Sequence, residues 1–337
     1  MFIAFLLQLF LLNQVSELKL GQETLPARAV ESIKGQTEWL AAAMPVFNPD
    51  YYVSSLPESA SKGDPVPYPP IKTNPLSLGV ELTAKSALVM DRETKAVLFS
   101  KAMDSKVPVA SLTKLVSALV VLKYNPELKG QARLEYEDYI PNLTRFIRPG
   151  ELYQFRDLLY AAIIASDNNA ISLLSRSLGI TQEVFVDQMN LVANEIGMGK
   201  SHFVEPTGLD PNNISTAHDV ALLLDYSLSK EPIYSASQFE NYTIYPVGRS
   251  QGRKIISTDK LLGSYINKAP YRLKIGKTGY IEKAGYCFSA VVSNEEKQSS
   301  LIVVVLGSQD ADSRFQEAKS LVTWSFDNYK WVYGVSY

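Results

Sequence analysis

Short apolar and polar blocks alternate along residues 86–101 of this chain. Apolar residues 87–90 and 96–99 flank a polar stretch at residues 91–95. Two apolar runs of this length around a short polar turn are typical of paired antiparallel strands. The pattern therefore predicts a β-hairpin over residues 86–101.

The middle of the chain has the period of amphipathic helices, with apolar residues three or four positions apart. Apolar runs that suit strands return afterwards, and a polar loop at residues 294–298 separates the last two. Helices are predicted over residues 111–123, 155–165, 169–178, 181–196, 216–228 and 312–328, and strands over residues 271–277, 285–293 and 301–307. This order predicts an α+β fold, in which an antiparallel sheet is flanked by helices and carries an inserted helical lobe.

The N-terminal part has a different composition. Residues 1–16 carry no charged side chain and residues 2–12 are almost wholly apolar, which is the pattern of a signal peptide or an N-terminal anchor. Prolines are dense between Pro45 and Pro75, which favours an extended spacer without a core of its own. We expect a signal peptide or anchor at residues 1–19, a proline-rich spacer at 20–75 and one folded domain at 76–337. Export is therefore expected, with cleavage and N-terminal membrane attachment both open.

Composition narrows the classes of function. The chain has 337 residues, 46% of them hydrophobic, which is enough for a substantial core. A net charge of -2 gives no basic surface for nucleic acid. The single cysteine, Cys287, is expected to be core filler, and His202 and His218 are too few for a zinc site or for a serine, histidine and aspartate triad. No metal or other cofactor is expected.

Three short polar motifs stand within this pattern. They are Ser111-Leu112-Thr113-Lys114 (S-x-x-K), Ser166-Asp167-Asn168 (S-D-N) and Lys277-Thr278-Gly279 (K-T-G). The S-x-x-K pattern alone is weak, because four other copies begin at Ser16, Ser59, Ser227 and Ser257. Only the copy at Ser111 opens a long apolar helix and precedes the single S-D-N and the single K-T-G. The ordered set is typical of serine enzymes that penicillins acylate.

The S-x-x-K motif fits a nucleophile and its base. Residues three apart share one face of a helix, so the amine of Lys114 can lie beside the hydroxyl of Ser111. A lysine acts as a base only where burial or another cation lowers its pKa, and Lys277 is the candidate second cation. Two plainer interpretations remain, in which Ser111 is a helix N-cap and Lys114 is a solvated helix residue.

The other two motifs supply groups around a reacting serine. If S-D-N faces Ser111 across a cleft, Ser166 would relay a proton to the leaving amine and Asn168 would bind the substrate amide, although helix capping alone would also explain this triplet. Lys277 and Thr278 would offer a positive charge and a hydroxyl to a substrate carboxylate, and Gly279 would let a ligand lie against the strand. An exposed strand end is the plainer alternative. The N–H groups of Ser111 and Tyr280 would form the oxyanion hole.

Further segments match the same family. They are Leu88-Val89-Met90-Asp91, Pro108-Val109-Ala110, His202-Phe203, Pro206-Thr207-Gly208-Leu209, Ser215-Thr216-Ala217-His218-Asp219 and Gly285-Tyr286-Cys287. With them, residues 84–329 resemble the low-molecular-mass penicillin-binding proteins of the D-alanyl-D-alanine carboxypeptidase family. The resemblance implies a β-lactamase/transpeptidase-like fold. It also implies an exported serine D,D-peptidase that cleaves the terminal D-Ala-D-Ala bond of peptidoglycan stem peptides through an acyl-enzyme, and that β-lactams inhibit. It further points to Arg314 as a substrate-binding residue, although an exposed arginine at a helix start would look the same in the sequence.

Two departures keep alternatives open. Glu205 stands before Pro206 where the family typically shows asparagine, and a Glu-Pro element carries the water-activating glutamate of class A β-lactamases. The family often has a C-terminal β-domain and a membrane helix, for which the sequence after Gly279 leaves no room, so any membrane attachment is expected at the N-terminus. A D,D-endopeptidase, a β-lactamase and an inactive wall-binding scaffold are the alternatives. The scaffold is disfavoured because no motif residue is lost.

Overall fold

The computed structural model describes residues 65–140 and 146–335. The predicted signal or anchor segment and most of the predicted spacer, residues 1–64, lie outside the described residues. Within the described ranges, no helix is long and apolar enough to cross a membrane.

Most of the strands are short, and five of them form one central sheet. In chain order the strands are β1 (Pro65–Pro67), β2 (Ile71–Lys72), β3 (Ser86–Asp91), β4 (Val97–Lys101), β5 (Val107–Pro108), β6 (Gln131–Arg133), β7 (Leu152–Gln154), β8 (Ile214–Ser215), β9 (Asn241–Ile244), β10 (Arg253–Ile256), β11 (Tyr271–Ile281), β12 (Gly285–Asn294), β13 (Ser299–Ser308), β14 (Tyr329–Lys330) and β15 (Tyr333–Val335). The central sheet is antiparallel and has the order β11, β12, β13, β3, β4. The predicted hairpin is confirmed as β3 and β4, and the three predicted C-terminal strands are confirmed as β11, β12 and β13.

The helices follow the sequence pattern closely. Those in the described residues are α1 (Thr113–Tyr124), α2 (Phe155–Ile164), α3 (Asn168–Arg176), α4 (Gln182–Glu195), α5 (Ala217–Leu228), α6 (Glu231–Ser237) and α7 (Ser313–Asn328). Thr181 and Thr216 cap α4 and α5 with their side chains, which explains why these predicted starts are accurate to one residue. The sequence missed α6 and the pairs β6 with β7 and β9 with β10, because such short elements hold too few positions for a period to show.

Both faces of the central sheet are buried. Neighbouring residues of a strand point to opposite faces, so Val89 and Val303 join one apolar cluster while Leu88 and Val304 join the other. The first cluster includes apolar residues of α7, and the second includes those of α1, α2 and α5. Cys287 is fully buried in the second cluster, where burial raises the pKa of its thiol to about 11, which confirms it as core filler. The predicted α+β architecture, with a sheet between helices and a helical lobe, is confirmed.

Residues upstream of the predicted domain start at residue 76 take part in this structure. β1 pairs with β15, and β2 pairs with β14. Thr73 also donates hydrogen bonds to the carbonyl oxygen of Asn328, the last residue of α7, from its N–H at 2.8 Å and from its Oγ1 at 3.0 Å. The last residues of the predicted spacer are therefore attached to the C-terminal helix and the strands that follow it.

A close approach of two chain segments fixes the backbone that precedes α1. Ala110 has φ +48, which is unusual for a residue with a side chain. Gly208 packs directly behind it, and a Cβ on Gly208 would lie 2.0 Å from the Ala110 carbonyl oxygen and 2.9 Å from Ser111 N. Because Gly208 also has φ +85, only glycine fits there without strain.

We expect Gly208→Ala to lower the free energy of unfolding by about 3 kcal/mol or more, because the methyl group adds a backbone clash to the strain of a positive φ. Gly179→Ala is the matched control, since Gly179 has φ +74 but nothing within 4 Å of its Cβ position. That control should lose about 1 to 2 kcal/mol from strain alone. Urea denaturation measures both values, and equal losses would contradict the close approach at Gly208.

Candidate active site

Ser111 lies in a 3-10 turn, Ala110–Leu112, that leads directly into α1. The N-cap of α1 is Leu112, and no side chain caps that helix end, so the interpretation of Ser111 as a helix N-cap is wrong. The Ser111 side chain is half-buried, whereas the following helix is buried as far as Val121. The turn therefore presents one partly accessible hydroxyl from a buried helix.

The amine of Lys114 is fully buried and bonded to three oxygen atoms. Nζ donates to Ser111 Oγ at 2.8 Å, to Asn168 Oδ1 at 2.5 Å and to the Thr207 carbonyl at 2.6 Å. The interpretation of Lys114 as a solvated helix residue is therefore wrong. One amine joins the S-x-x-K turn, the S-D-N turn and the loop that precedes β8.

Burial lowers the pKa of Lys114 to about 7, while the negative charges of Glu205 and Asp167 act in the opposite direction. A large fraction of the amine is therefore unprotonated at neutral pH. An unprotonated amine at this distance can accept the proton of the Ser111 hydroxyl. Burial is the main cause of the lowering, and the repulsion expected between Lys114 and Lys277 is found in the pKa of Lys277.

The S-D-N motif forms the turn between α2 and α3, as the sequence predicts. Asp167 is the N-cap of α3 and accepts a hydrogen bond from Ala170 N at 2.9 Å, so the alternative interpretation of the triplet as a helix cap holds for this residue. Ser166 has φ +57, a conformation that is costly for a residue with a side chain. Its Oγ accepts a hydrogen bond from Lys277 Nζ at 2.9 Å. The turn thus contacts Lys277 through Ser166, and Lys114 through Asn168.

Lys277 is the second buried amine of the site, with 1% of its surface exposed. Besides Ser166, it donates to the Thr278 carbonyl at 3.1 Å. Burial and the charges of Lys114 and Arg314 hold its pKa well below the usual lysine range, against the attraction of Asp259. The interpretation of K-T-G as an exposed strand end is therefore wrong for the lysine.

Thr278 and Gly279 continue β11 alongside the Ser111 turn. Thr278 Oγ1 shares a hydrogen bond of 2.6 Å with Thr258 Oγ1, so its hydroxyl is held from a neighbouring loop. A Cβ on Gly279 would lie 2.9 Å from the Val109 carbonyl oxygen and 3.2 Å from Ser111 N. Gly279 therefore lets the strand pack against the main chain of the Ser111 turn, which is a different reason for glycine from the ligand contact that the sequence suggested.

Arg314 lies at the start of α7 but is buried, with 9% of its surface exposed, so the interpretation as an exposed helix-start arginine is wrong. Its Nη1 donates to the carbonyl oxygens of Gly279 at 3.0 Å and Cys287 at 3.4 Å. The guanidinium also lies 5.4 Å from the ring centroid of Tyr286. Tyr286 stacks on Tyr280, with ring centroids 4.3 Å apart. Arg314 thus supports the end of β11 from behind.

The sequence motifs did not identify three contacts of this site. The Thr207 carbonyl accepts from Lys114, Thr258 holds Thr278, and Glu205 organises the loop that carries Thr207. A main-chain carbonyl leaves no signal in the residue type, and a threonine supporting another threonine has no characteristic spacing. Glu205 was visible as a departure from the family pattern, but its partners were not.

Comparisons with known proteins agree with this geometry. Residues 71–310 match the sequence profile of the family described as D-alanyl-D-alanine carboxypeptidase. The chain is 31% identical over 276 residues to a D-alanyl-D-alanine endopeptidase of Pseudomonas aeruginosa, covering 76% of this chain and 81% of that protein. It is 26% identical to a D-alanyl-D-alanine carboxypeptidase of Bacillus subtilis, covering 73% of this chain and 63% of that protein.

A solved structure gives the same answer for the fold. Penicillin-binding protein D2 of Listeria monocytogenes, in its ampicillin-bound form, is 28% identical and superposes with a TM-score of 0.62. The superposition covers 74% of this chain and 99% of that one. The profile match extends over most of the chain, and the chain therefore belongs to the D-alanyl-D-alanine carboxypeptidase family of serine peptidases.

Proposed function

We propose that this protein is a D,D-carboxypeptidase that hydrolyses the terminal D-Ala-D-Ala bond of peptidoglycan stem peptides through an acyl-enzyme on Ser111. The observation that carries the proposal is the buried amine of Lys114, which is bonded to Ser111 Oγ and has a pKa of about 7. A hydroxyl becomes a strong nucleophile only when a base removes its proton during the attack. β-Lactams would acylate the same serine.

Lys114 is proposed as the general base for acylation. Its unprotonated amine has two N–H groups, which Asn168 Oδ1 and the Thr207 carbonyl can accept, and one lone pair that is left for the Ser111 proton. The main-chain N–H groups of Ser111 and Tyr280 are proposed to stabilise the oxyanion. The 3.2 Å between Ser111 N and the Cβ position of Gly279 supports this role, because it brings the two segments side by side.

Ser166 is proposed to deliver a proton to the leaving amine of D-Ala. Its hydroxyl is bonded to Lys277 at 2.9 Å, and that lysine has a pKa well below its usual range. Asn168 is proposed to bind the substrate amide, from a side chain that Lys114 already orients. The serine hydroxyl would thus connect the leaving group to a second buried amine.

The K-T-G strand is proposed to bind the terminal carboxylate of the substrate. A bound carboxylate would favour the protonated form of Lys277, so that Lys277 and Thr278 would supply a positive charge and a hydroxyl, and Gly279 lets them lie close to Ser111. Arg314 adds positive charge behind the same strand, although its Nη1 is bonded to main-chain carbonyl groups. We therefore assign Arg314 an electrostatic contribution to carboxylate binding and the support of Gly279 and Tyr280.

Endopeptidase action on peptide cross-links is the second candidate. One specific observation favours it: the relative that is 31% identical is named an endopeptidase and is matched over 81% of its length, whereas the carboxypeptidase of Bacillus subtilis is matched over 63%. Both reactions cleave a bond that follows a D-alanyl residue and share the acylation step. They differ in the leaving group, which is a terminal D-Ala in the first reaction and the side-chain amine of a second stem peptide in the second.

We extend the proposal to the place of action, which is the cell wall outside the cytoplasmic membrane. Peptidoglycan stem peptides are found there, and residues 1–19 have the composition of a signal peptide or anchor. Export through this segment, with or without an N-terminal tether, would bring the enzyme to its substrate and into a role in cell shape.

Acylation by a fluorescent penicillin should rise with pH and level off above an apparent pKa close to that of Lys114, about 7. The reason is that only the unprotonated amine can accept the Ser111 proton. Lys114→Ala should lower the acylation rate by about 10² to 10⁴ and remove this dependence.

Peptide mapping should find the label on Ser111 and on none of the other S-x-x-K serines. Labelling that survives Ser111→Ala would refute the assignment of Ser111 as the nucleophile.

The substrate is tested with purified muropeptides. Mass spectrometry should detect release of terminal D-Ala from a pentapeptide, with much slower cleavage of the analogue whose C-terminus is amidated, because Lys277 and Thr278 bind a carboxylate. Cross-linked dimers incubated under the same conditions are the comparison. Equal rates on the free and amidated peptides, or cleavage of the dimers alone, would reject the carboxypeptidase proposal in favour of the endopeptidase.

A further inference from the structure

Glu205 lies at the start of the loop that leads to β8, and its carboxylate accepts five hydrogen bonds from that loop. Oε2 accepts from Thr207 N and Thr207 Oγ1, each at 2.6 Å, and Oε1 accepts from Gly208 N at 2.6 Å, Asp210 N at 3.3 Å and Asn213 Nδ2 at 2.6 Å. Every one of these partners is a donor. A carboxylate fits this position because both of its oxygens can only accept.

The side-chain amide of Asn213 cannot flip to present its oxygen to position 205. Its Oδ1 accepts from Val204 N at 2.7 Å and from Glu205 N at 3.3 Å. Its amide nitrogen must therefore face Glu205. A glutamine at position 205 would place its own NH₂ group against N–H or O–H groups on one side or the other, so that a donor would face a donor.

The loop that Glu205 holds carries two parts of the acylation machinery. The Thr207 carbonyl accepts from Lys114 Nζ at 2.6 Å, and Gly208 packs against the Ala110 carbonyl and Ser111 N. The amide N–H groups of these same two residues are bonded to Glu205. Glu205 therefore fixes the peptide groups that touch both the base and the nucleophile, although it contacts neither.

The position of the Thr207 carbonyl decides where Lys114 points its lone pair. The unprotonated amine needs two acceptors for its N–H groups, and Asn168 Oδ1 and the Thr207 carbonyl fill that role. If the carbonyl moved away, an N–H group could turn toward Ser111 Oγ, and the lone pair would no longer face the hydroxyl. Glu205 thus acts on the direction of proton transfer through the loop.

We propose that Glu205 is a positioning residue for acylation, whose carboxylate holds the Thr207 carbonyl against the amine of Lys114 and Gly208 against the main chain of Ser111. The proposal rests on the function proposed above for Ser111 and Lys114. It gives the unexpected glutamate before Pro206 a role other than that of a water-activating base, since both of its oxygens are occupied by its own loop.

The charge of Glu205 provides a readout that a purely structural role would not give. The charged groups that face Lys114 are Glu205, Asp167 at the N-cap of α3, and Lys277 on β11. Glu205 and Asp167 raise the pKa of Lys114 against the effect of burial. Loss of the charge at position 205 should therefore lower that pKa and move the rising limb of the acylation profile to lower pH.

The test compares Glu205→Gln, Glu205→Asp and the control Asp210→Asn in the full chain. The control removes a negative charge from the same loop, and its side chain accepts from Asn212 N and touches neither Lys114 nor Ser111. The rate of acylation by a fluorescent penicillin is measured from pH 5 to 9. A lysine ¹³Cε signal in NMR spectra, assigned to Lys114 by its absence in Lys114→Ala, gives the titration of the amine without any substrate.

We expect Glu205→Gln to lower the maximal acylation rate by about 10- to 100-fold, the size of a small misplacement of reacting groups. In this variant the rising part of the plot of acylation rate against pH and the ¹³Cε titration of Lys114 should both move to lower pH, by roughly half to one unit. Glu205→Asp keeps the charge, so it should lose rate while its titration stays close to that of the wild type. Asp210→Asn should leave the maximal acylation rate and its pH dependence unchanged.

A folded Glu205→Gln variant with the wild-type rate and an unmoved titration would overturn the inference. So would an equal shift of the titration in Asp210→Asn, or the wild-type rate in Glu205→Asp if the glutamine variant does not fold. Failure of the proposed function looks different. In that case penicillin would not label the wild-type protein, while the NMR titrations would still decide whether Glu205 acts on Lys114.

Discussion

A lysine amine is costly to bury unless it loses its proton or finds acceptors, and Lys114 does both. Its three acceptors come from separate parts of the chain: Ser111 before α1, Asn168 in the turn between α2 and α3, and the Thr207 carbonyl in the loop before β8. Displacement of any one of these segments would remove an acceptor from a fully buried amine. The same contacts therefore hold the three segments together and place the amine beside the Ser111 hydroxyl.

The buried amine of Lys277 adds a second electrostatic cost, because two protonated amines close together in a buried site repel each other. Lys277 is nearly as buried as Lys114, and the charge of Lys114 helps to lower the pKa of Lys277. For Lys114, the pKa falls from 10.5 to about 7 on folding, so between these values the unfolded chain binds a proton that the folded chain does not. Its contribution to the free energy of unfolding therefore increases with pH across that window. The fold thus gives up stability near neutral pH and keeps a partly unprotonated amine beside Ser111.

Close backbone packing fixes the position of Ser111. Gly208 and Gly279 approach the Ser111 turn from two different segments, and in both cases a Cβ would come within 3.2 Å of Ser111 N. Ala110 and Ser166 adopt positive φ angles at the ends of the same cluster. Such strain persists only where the surrounding contacts over-determine the backbone, which is typical of functional sites. The burial of the sheet and of α1 supplies that support.

The sequence by itself determined the order and type of the main elements, because long apolar periods and threonine caps are local signals. It also located the candidate reacting groups, since Ser111 and Lys114 lie three residues apart and their motif precedes the single S-D-N and the single K-T-G. Only the tertiary structure decided the environment of these groups. Burial sets the pKa of Lys114, and the Thr207 carbonyl directs its amine, yet neither leaves a mark on residue type. The environment of Arg314 was likewise decided by the tertiary structure, because the sequence at a helix start is the same whether that start is exposed or packed behind a strand.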